Sequence, residues 1–343
     1  MTHLAGRLVL TLWWGLFCSS LLAACRGEAV VTRRQVLESL VDRVTAPGVR
    51  ELDAAQAALA EQLAQLERAP SPAQLSAAQT SWQRAMQAWE RVSLYRLGPV
   101  IDARLLLRTT YWPVRVAALD ALLREEVRPK TVDALGVDVR GMFALEHLLF
   151  GAIATRVSSA APSGGTERAL AVALATHLAE QTRSCRERLG DASAWKAALV
   201  QDERQSVSRI VNILLDSIET LAEERIRALE RSHRNPRELR GGPSGSTAAL
   251  IQSQLTAAAQ LYDGHGGTGL SHLVRNAAPD IDRHLQPLFA AALTTTQQLA
   301  TAPFDPTSIQ RARESLKQLE QALKAELPNA LGVTLTFESG DGD

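Results

Sequence analysis

Residues 71–95 read SPAQLSAAQTSWQRAMQAWERVSLY, and this stretch indicates the fold class most clearly. Its apolar side chains recur every three or four residues from Leu75 to Val92, which is the spacing of one face of an α-helix. Ser71 is a residue type that caps helices, and Pro72 suits the first helical position. The stretch therefore predicts a helix that begins at Pro72 and buries its apolar stripe in a core, not in a cofactor site.

The rest of the chain repeats this helical spacing. Aromatic residues are only 4% of the sequence, and the abundant residues Ala, Leu, Gln, Glu and Arg favour helices. Runs that alternate in the manner of β-strands are almost absent. Further helices are predicted over residues 32–46, 48–67 (after a break at Pro47), 139–150, 166–189, 201–231, 246–262, 279–300 and 307–327.

These helices fall into two groups, so we expect an all-α protein built as two related helical bundles packed side by side. The first bundle covers about residues 32–190 and the second about residues 195–327, followed by an extended tail over 328–343. The two predicted bundles share a short internal sequence similarity, because residues 145–148 (LEHL) are similar to residues 270–273 (LSHL). A glycine-rich stretch, Gly241–Gly245, predicts a mobile linker within the second half.

The first 25 residues are organised like a bacterial secretory leader. Arg7 precedes a short apolar run over residues 8–22, and small residues follow before a cysteine. The order of charge, apolar run and small-residue cleavage site is that of a signal peptide. The run is shorter than the roughly 20 apolar residues that a membrane-spanning helix needs. We therefore predict that residues 1–24 are removed on export.

The end of the leader, Leu22-Ala23-Ala24-Cys25, is similar to a lipobox, in which the cysteine is lipidated. The sequence predicts a lipid anchor on Cys25 and a tether over residues 25–31. Arg26 stands where an inner-membrane retention signal has Asp, so we expect a cell-envelope protein on the outer membrane, facing the periplasm. The alternative is an ordinary cleaved signal with an incidental cysteine.

The charge balance argues against a nucleic-acid partner. Lys and Arg total 37, and Asp and Glu total 37. Removal of the leader takes away one of these charged residues, Arg7, so the mature chain stays nearly neutral. A nucleic-acid partner would need a basic face, and without a polybasic patch membrane attachment depends on the acyl chains. Apart from the anchor, Cys185 is the one cysteine left in the mature chain, which excludes an internal disulfide and a cysteine-rich metal site.

Several short motifs follow one another along the mature chain. They are Trp82 and Trp89, Gly98-Pro99, Tyr111-Trp112-Pro113, the stretch GMFALEHLLFG over residues 141–151, a glycine-containing turn over residues 262–270, and the ending over residues 331–343. In their order and spacing they resemble the imelysin-like family, which also carries the name of a peptidase. The resemblance spans nearly the whole mature chain.

The resemblance implies a helical envelope protein that serves iron or other metal acquisition as a binding or accessory component. Iron or another divalent metal is the candidate cofactor, and whether this chain binds it stays open. The family signature G-x-H-x-x-E matches Gly141 and Glu146, but this chain has Phe143 in place of the histidine. His and Glu three residues apart share one face of a helix and can ligate a metal together. Phenylalanine has no lone pair, so only Glu146 is left of that pair.

Glu146 is the first candidate functional residue. A carboxylate in so apolar a helix is costly to bury without a partner. One interpretation is a metal ligand or an acid/base group in a cleft between the bundles. The other is a structural ion pair with Arg104, Arg108 or Arg115.

Four more residues are candidates for the same cleft: His147, His272, Asp102 and Trp112. Neighbours on a helix point about 100° apart, so His147 replaces the missing histidine only if the helix is distorted. His272 is the residue of the second bundle that corresponds to His147 in this short internal similarity. His265, in a glycine-rich turn, is predicted to be exposed and not a ligand.

Three functions stay open. The first is binding or accessory work in metal acquisition, and the second is an interaction module whose groove binds a peptide or an envelope protein. The least favoured is a metallopeptidase, which needs a compact set of His and carboxylate ligands with an open position. Neither an H-E-x-x-H helix nor a G-x-S-x-G elbow occurs, so no catalytic residue is assigned and the sequence leans against an enzyme.

Overall fold

The computed structural model describes residues 30–95, 105–124, 131–159, 165–190, 192–231 and 235–334. Its helices are α1 (Arg33–Leu40), α2 (Ala46–Arg68), α3 (Pro72–Ser93), α4 (Leu105–Thr110), α5 (Val116–Arg124), α6 (Met142–His147), α7 (Ile153–Ser158), α8 (Gly165–Gly190), α9 (Ala192–Gln201), α10 (Glu203–Glu219), α11 (Ile226–Arg231), α12 (Thr247–Asp263), α13 (Leu270–Ala277), α14 (Pro279–Thr301) and α15 (Pro306–Leu331). Wider π-helical turns occupy Val41–Thr45, Leu148–Ala152 and Thr220–Arg225, and 3-10 turns occupy Val132–Ala134, Val137–Val139 and Pro236–Glu238. Within these ranges there is no β-strand, and the predicted all-α class is confirmed.

Two helical bundles lie side by side. Helices α2, α3 and α8 form the first bundle, with α6 packed among them, and α10, α12, α14 and α15 form the second. Helix α12 lies against α3, so these two helices join the bundles. The buried apolar side chains of both bundles form one continuous cluster. No helix in the described ranges is both long enough and apolar enough to span a bilayer.

Helix α3 follows its prediction closely. The Ser71 hydroxyl accepts a hydrogen bond from the Gln74 amide at 3.2 Å, and Pro72 begins the helix. Trp82 and Trp89 are fully buried on the predicted face. The apolar stripe therefore does serve the core.

The structure differs from the predicted helix boundaries at two prolines. No break occurs at Pro47, because α1 continues through the π-helical turn Val41–Thr45 into α2. The wider turn relieves the clash between a proline ring and the carbonyl four residues earlier. Helix α15 reaches Leu331 and not residue 327, with Pro328 inside it, and Gly332 ends it with a left-handed φ of 61°. Residues 335–343 of the predicted tail lie outside the described ranges.

Trp82 fixes the position of α6, the short helix that carries the G-x-x-x-x-E motif. Its indole Nε1 donates a hydrogen bond to the Met142 carbonyl at 2.8 Å, and its ring makes an edge contact with Phe150. Since Trp82 belongs to α3, this bond sets the start of α6 against the helix that also contacts the second bundle.

We predict that Trp82→Phe lowers the free energy of unfolding by about 1–3 kcal/mol, because the buried Met142 carbonyl loses its donor. Urea denaturation of the soluble mature chain measures this change. Trp195→Phe is the matched control, since Trp195 is only half-buried, and it should change stability by less than about 1 kcal/mol. Equal losses for the two variants would contradict this role of Trp82.

Candidate functional site

Gly141 allows α6 to begin where it does. Its φ is 88°, and a Cβ atom there would lie 2.6 Å from the Thr109 carbonyl oxygen. A residue with a side chain would meet both backbone strain and a collision. The glycine of the motif therefore brings the start of α6 against the end of α4.

Glu146 is buried, with only 1% of its surface exposed. Its Oε1 accepts two hydrogen bonds from Ser244, one from the backbone N–H at 3.0 Å and one from the hydroxyl at 2.6 Å. Its Oε2 is buried without a hydrogen-bond partner. Burial raises the pKa of Glu146 from its ordinary value of 4.5 to about 7, and the bonds from Ser244 oppose that rise.

The residue that holds Glu146 belongs to the glycine-rich stretch between α11 and α12, in the second half of the chain. The Ser246 amide donates to the Gly241 carbonyl at 2.7 Å, and Gln83 of α3 donates through Nε2 to the Ser244 carbonyl at 3.2 Å. A Cβ atom on Gly242 would lie 2.0 Å from the Pro236 carbonyl oxygen, so the turn closes this tightly only with glycine there. Residues 241–246, which we call the Ser244 turn, are a compact turn bonded to the first bundle, contrary to the mobile linker that the sequence predicted.

The expected ion pair of Glu146 with an arginine is wrong for the described residues. Arg115 pairs with Asp138 at 3.0 Å, no contact joins Arg108 to Glu146, and Arg104 lies outside the described ranges. The hydrogen-bond partner of Glu146 is Ser244 instead of an arginine, and Ser244 lies nearly one hundred residues further along the chain. Sequence spacing gave no signal for so distant a contact.

Phe143 lies one helical turn before Glu146 and faces the same segment of the second half. Its buried ring makes an edge contact with Trp112, with ring centroids 5.0 Å apart. The guanidinium carbon of Arg240 lies 5.0 Å from the centre of the Phe143 ring. Positions 143 and 146 therefore share one face, as their spacing predicted, and that face meets residues 240–244.

A cavity of about 690 Å³ opens beside this contact. Trp112 and Arg240 lie in its wall, while Glu146 does not. Helix α3 contributes Trp89 and Glu90, and the π-helical turn after α10 contributes Arg225. The cavity therefore lies where the two bundles meet, and Trp112 is the predicted site residue that reaches it.

Two charged residues of the cavity wall form a buried ion pair between the bundles. Arg225 Nη2 lies 3.4 Å from Glu90 Oε1, and their side chains are 8% and 5% exposed. Neither residue was predicted as a site residue. The signal was present, because Arg225 falls four residues from both Leu221 and Leu229 on an otherwise apolar helix face, and a buried charge there needs a partner.

The two candidate histidines serve local structure and do not converge on Glu146. His147 Nε2 is 3.8 Å from an Asp120 carboxylate oxygen. His272 Nδ1 accepts a hydrogen bond from the Gly269 amide at 3.2 Å at the start of its own helix. His265 is exposed, as predicted, and Asp102 lies outside the described ranges.

A profile of the imelysin family matches residues 46–330 of this chain. The chain belongs to the imelysin family. It is 26% identical to iron-regulated protein A of Synechococcus elongatus over 313 residues, which cover 84% of this chain and 80% of that protein.

Two solved structures are similar to this imelysin-family chain. One is a candidate iron-regulated protein A precursor from Parabacteroides distasonis, with a TM-score of 0.72 and 13% identity, covering 89% of this chain and 97% of that one. The other is an imelysin-like protein from Psychrobacter arcticum, with a TM-score of 0.71 and 16% identity, covering 89% of this chain and 97% of that one. At these identities the likeness confirms the fold.

The metal that the family signature implies does not fit the described residues around Glu146. No three His, Cys, Asp or Glu side chains within the described ranges come together in a way that could hold a metal ion. Phe143 supplies no lone pair, and the polar neighbour of Glu146 is Ser244. A metal at Glu146 stays a prediction, and it depends on a further ligand from outside these ranges, where Asp102 lies.

The raised pKa of Glu146 gives a testable pH dependence. The folded protein holds the carboxyl proton up to about pH 7, whereas the unfolded chain releases it near the ordinary value of 4.5. The folded state therefore binds more protons between these values, and stability falls as pH rises through that window, by roughly 3 kcal/mol at most. We predict that Glu146→Gln, which mimics the protonated form, gains about 1–3 kcal/mol over wild type between about pH 5 and about pH 8.

Urea midpoints at the two pH values measure this difference. The matched control is Glu167→Gln, since Glu167 is also buried but lies 2.6 Å from Arg156. It removes the charged acceptor of Arg156 and should lower stability at both pH values. A stability difference between Glu146→Gln and wild type that does not change with pH would contradict the buried, raised-pKa carboxyl.

Proposed function

We propose that this chain is a lipid-anchored envelope protein that binds a ligand for iron acquisition in the cavity between its two bundles. The single observation that carries this proposal is the cavity of about 690 Å³ with charged and aromatic side chains in its wall. Its size falls within the range of small-molecule sites, about 300–1,000 Å³. In this proposal iron is bound as part of the ligand and is not ligated by the protein, because the described residues do not fit a bare metal ion.

Two features support the iron role and the location. The relative from Synechococcus elongatus is named iron-regulated protein A, and the Parabacteroides distasonis protein is named as a precursor, a word used for proteins that are processed. The leader and Cys25 of this chain agree with export and lipid anchoring, although they lie outside the described residues. Arg26 favours the outer membrane, facing the periplasm.

The second candidate is an interaction module that binds a peptide or an envelope protein in the same groove. One observation favours it, namely that the described residues offer no cluster of metal ligands while aromatic side chains line an accessible cavity. A metallopeptidase is the weakest candidate, because its chemistry needs several His and carboxylate ligands around one open metal position.

Growth under iron limitation tests the iron role. Deletion of the gene should slow growth when iron is withheld, and added iron or the wild-type gene should restore it. The surface variant Glu61→Gln, with 60% of that side chain exposed, should restore growth fully. Radiolabelled palmitate should be incorporated into the wild-type protein and not into Cys25→Ser.

Growth of the deletion strain that does not depend on iron would overturn the iron role and favour the interaction module. Equal incorporation of palmitate into the wild-type and Cys25→Ser proteins would overturn the lipid anchor.

A further inference from the structure

Arg240 is a cation that forms no ion pair with any of the described residues. Its Nε is buried without a hydrogen-bond partner. Burial lowers the pKa of Arg240 to about 10, the nearby charge of Arg225 adds to the decrease, and the charges of Glu90 and Glu224 oppose it. The side chain therefore still carries its charge at neutral pH. The side chain is half-buried, so N–H groups of the guanidinium that no carboxylate accepts from can donate to an anionic ligand at the cavity.

The other charges of the cavity do not supply that anion. Glu90 is already paired with Arg225. Glu224 and Glu238 lie in the wall but are exposed to solvent, and Glu238 also accepts a hydrogen bond from Asn235 at 2.6 Å. In water such rim charges interact weakly with a deeper group. Of the cations that the described residues place in the cavity wall, Arg240 is therefore the one without a directly paired carboxylate.

Phe143 supports that charge. The face of an aromatic ring attracts a cation, and the attraction is stronger when the pair is removed from water. The ring lies 5.0 Å from the guanidinium and is itself held by Trp112. The residue that replaces the metal-ligating histidine of the family thus orients Arg240 at the cavity.

The remaining wall suits a ligand rich in oxygen atoms. Hydroxyl groups of Ser93, Tyr111 and Thr220 line the cavity. Gln254 also lines it, and its buried Oε1, an acceptor without a partner, can accept a hydrogen bond from a hydroxyl group of such a ligand. A planar guanidinium with several N–H groups matches a carboxylate in two parallel hydrogen bonds.

We propose that the cavity binds a small organic anion that carries several carboxylates, with Arg240 as its main charged contact. In the setting of the proposed function, on which this step rests, the anion is the carboxylate chelator that carries ferric iron. The protein then recognises the chelator, and no side chain of the cavity needs to ligate the metal.

Calorimetric titration of the soluble mature chain tests the site, with citrate, ferric citrate, inorganic phosphate and the neutral ester triethyl citrate as probes. Citrate and ferric citrate should bind, while the ester should not. Arg240→Ala should weaken citrate binding roughly 10- to 100-fold, as expected for loss of a charged hydrogen-bond donor. Arg240→Lys should retain part of the affinity because it keeps the charge.

Arg237→Ala is the matched control, because Arg237 is exposed three residues earlier and is absent from the cavity wall. It should leave the affinity within about twofold. The comparison of citrate with its ester uses only the wild-type protein, so it decides the question even if an Arg240 variant fails to fold.

The outcomes separate this inference from the iron role. Binding of metal-free citrate but not of ferric citrate supports the anion site and contradicts the iron cargo. If the deletion causes an iron-dependent growth defect but the purified protein does not bind citrate, the anion site is overturned and the iron role is not. Equal binding of the ester, preference for phosphate over citrate, or unchanged citrate affinity in Arg240→Ala would also overturn it.

Discussion

Two hydrogen bonds from Ser244 to one oxygen of Glu146 hold the structure together at its functional end. They join α6 of the first bundle to the turn that precedes α12 of the second. The carboxylate lies in an apolar interior, where each bond is stronger than in water and each missing bond is more costly. Its second oxygen is buried without a side-chain partner, and burial outweighs the hydrogen bonds to the carboxyl in setting its pKa. Arg240 lies directly before the Ser244 turn, and its carbonyl accepts a hydrogen bond from the Thr247 hydroxyl at 2.9 Å.

The same contact relates the family motif to the cavity. Gly141 sets the start of α6, Glu146 holds the Ser244 turn, and Phe143 between them meets the Arg240 guanidinium. In a chain with histidine at the middle position, two ligands would face the turn. With phenylalanine there, the same face of the helix presents an aromatic surface to a cation. The anion site proposed above therefore includes an aromatic ring at the position where the family signature has histidine.

Much of the fold was predictable from the sequence, because helical periodicity and capping are local signals. Ser71 and the apolar stripe of α3 determine that helix without help from the rest of the chain. The site was less predictable, since its partners lie far apart in sequence: Glu146 and Ser244, or Glu90 and Arg225. Glu146 was recognisable as a charge in an apolar helix, but periodicity cannot show which distant residue neutralises it. The Ser244 turn was interpreted as a mobile linker because glycine content alone does not distinguish a flexible chain from a tight turn.

Hydrogen exchange at the Ser244 amide tests the central contact most directly, because that N–H donates to the Glu146 carboxylate. We expect the amide to be protected in wild type and to exchange about tenfold faster or more in Glu146→Ala. The Gly267 amide, bonded to the Gly264 carbonyl at 2.9 Å, serves as the internal reference and should be unaffected. Equal protection of Ser244 with and without the carboxylate would contradict the claim that Glu146 holds the two bundles together at the cavity.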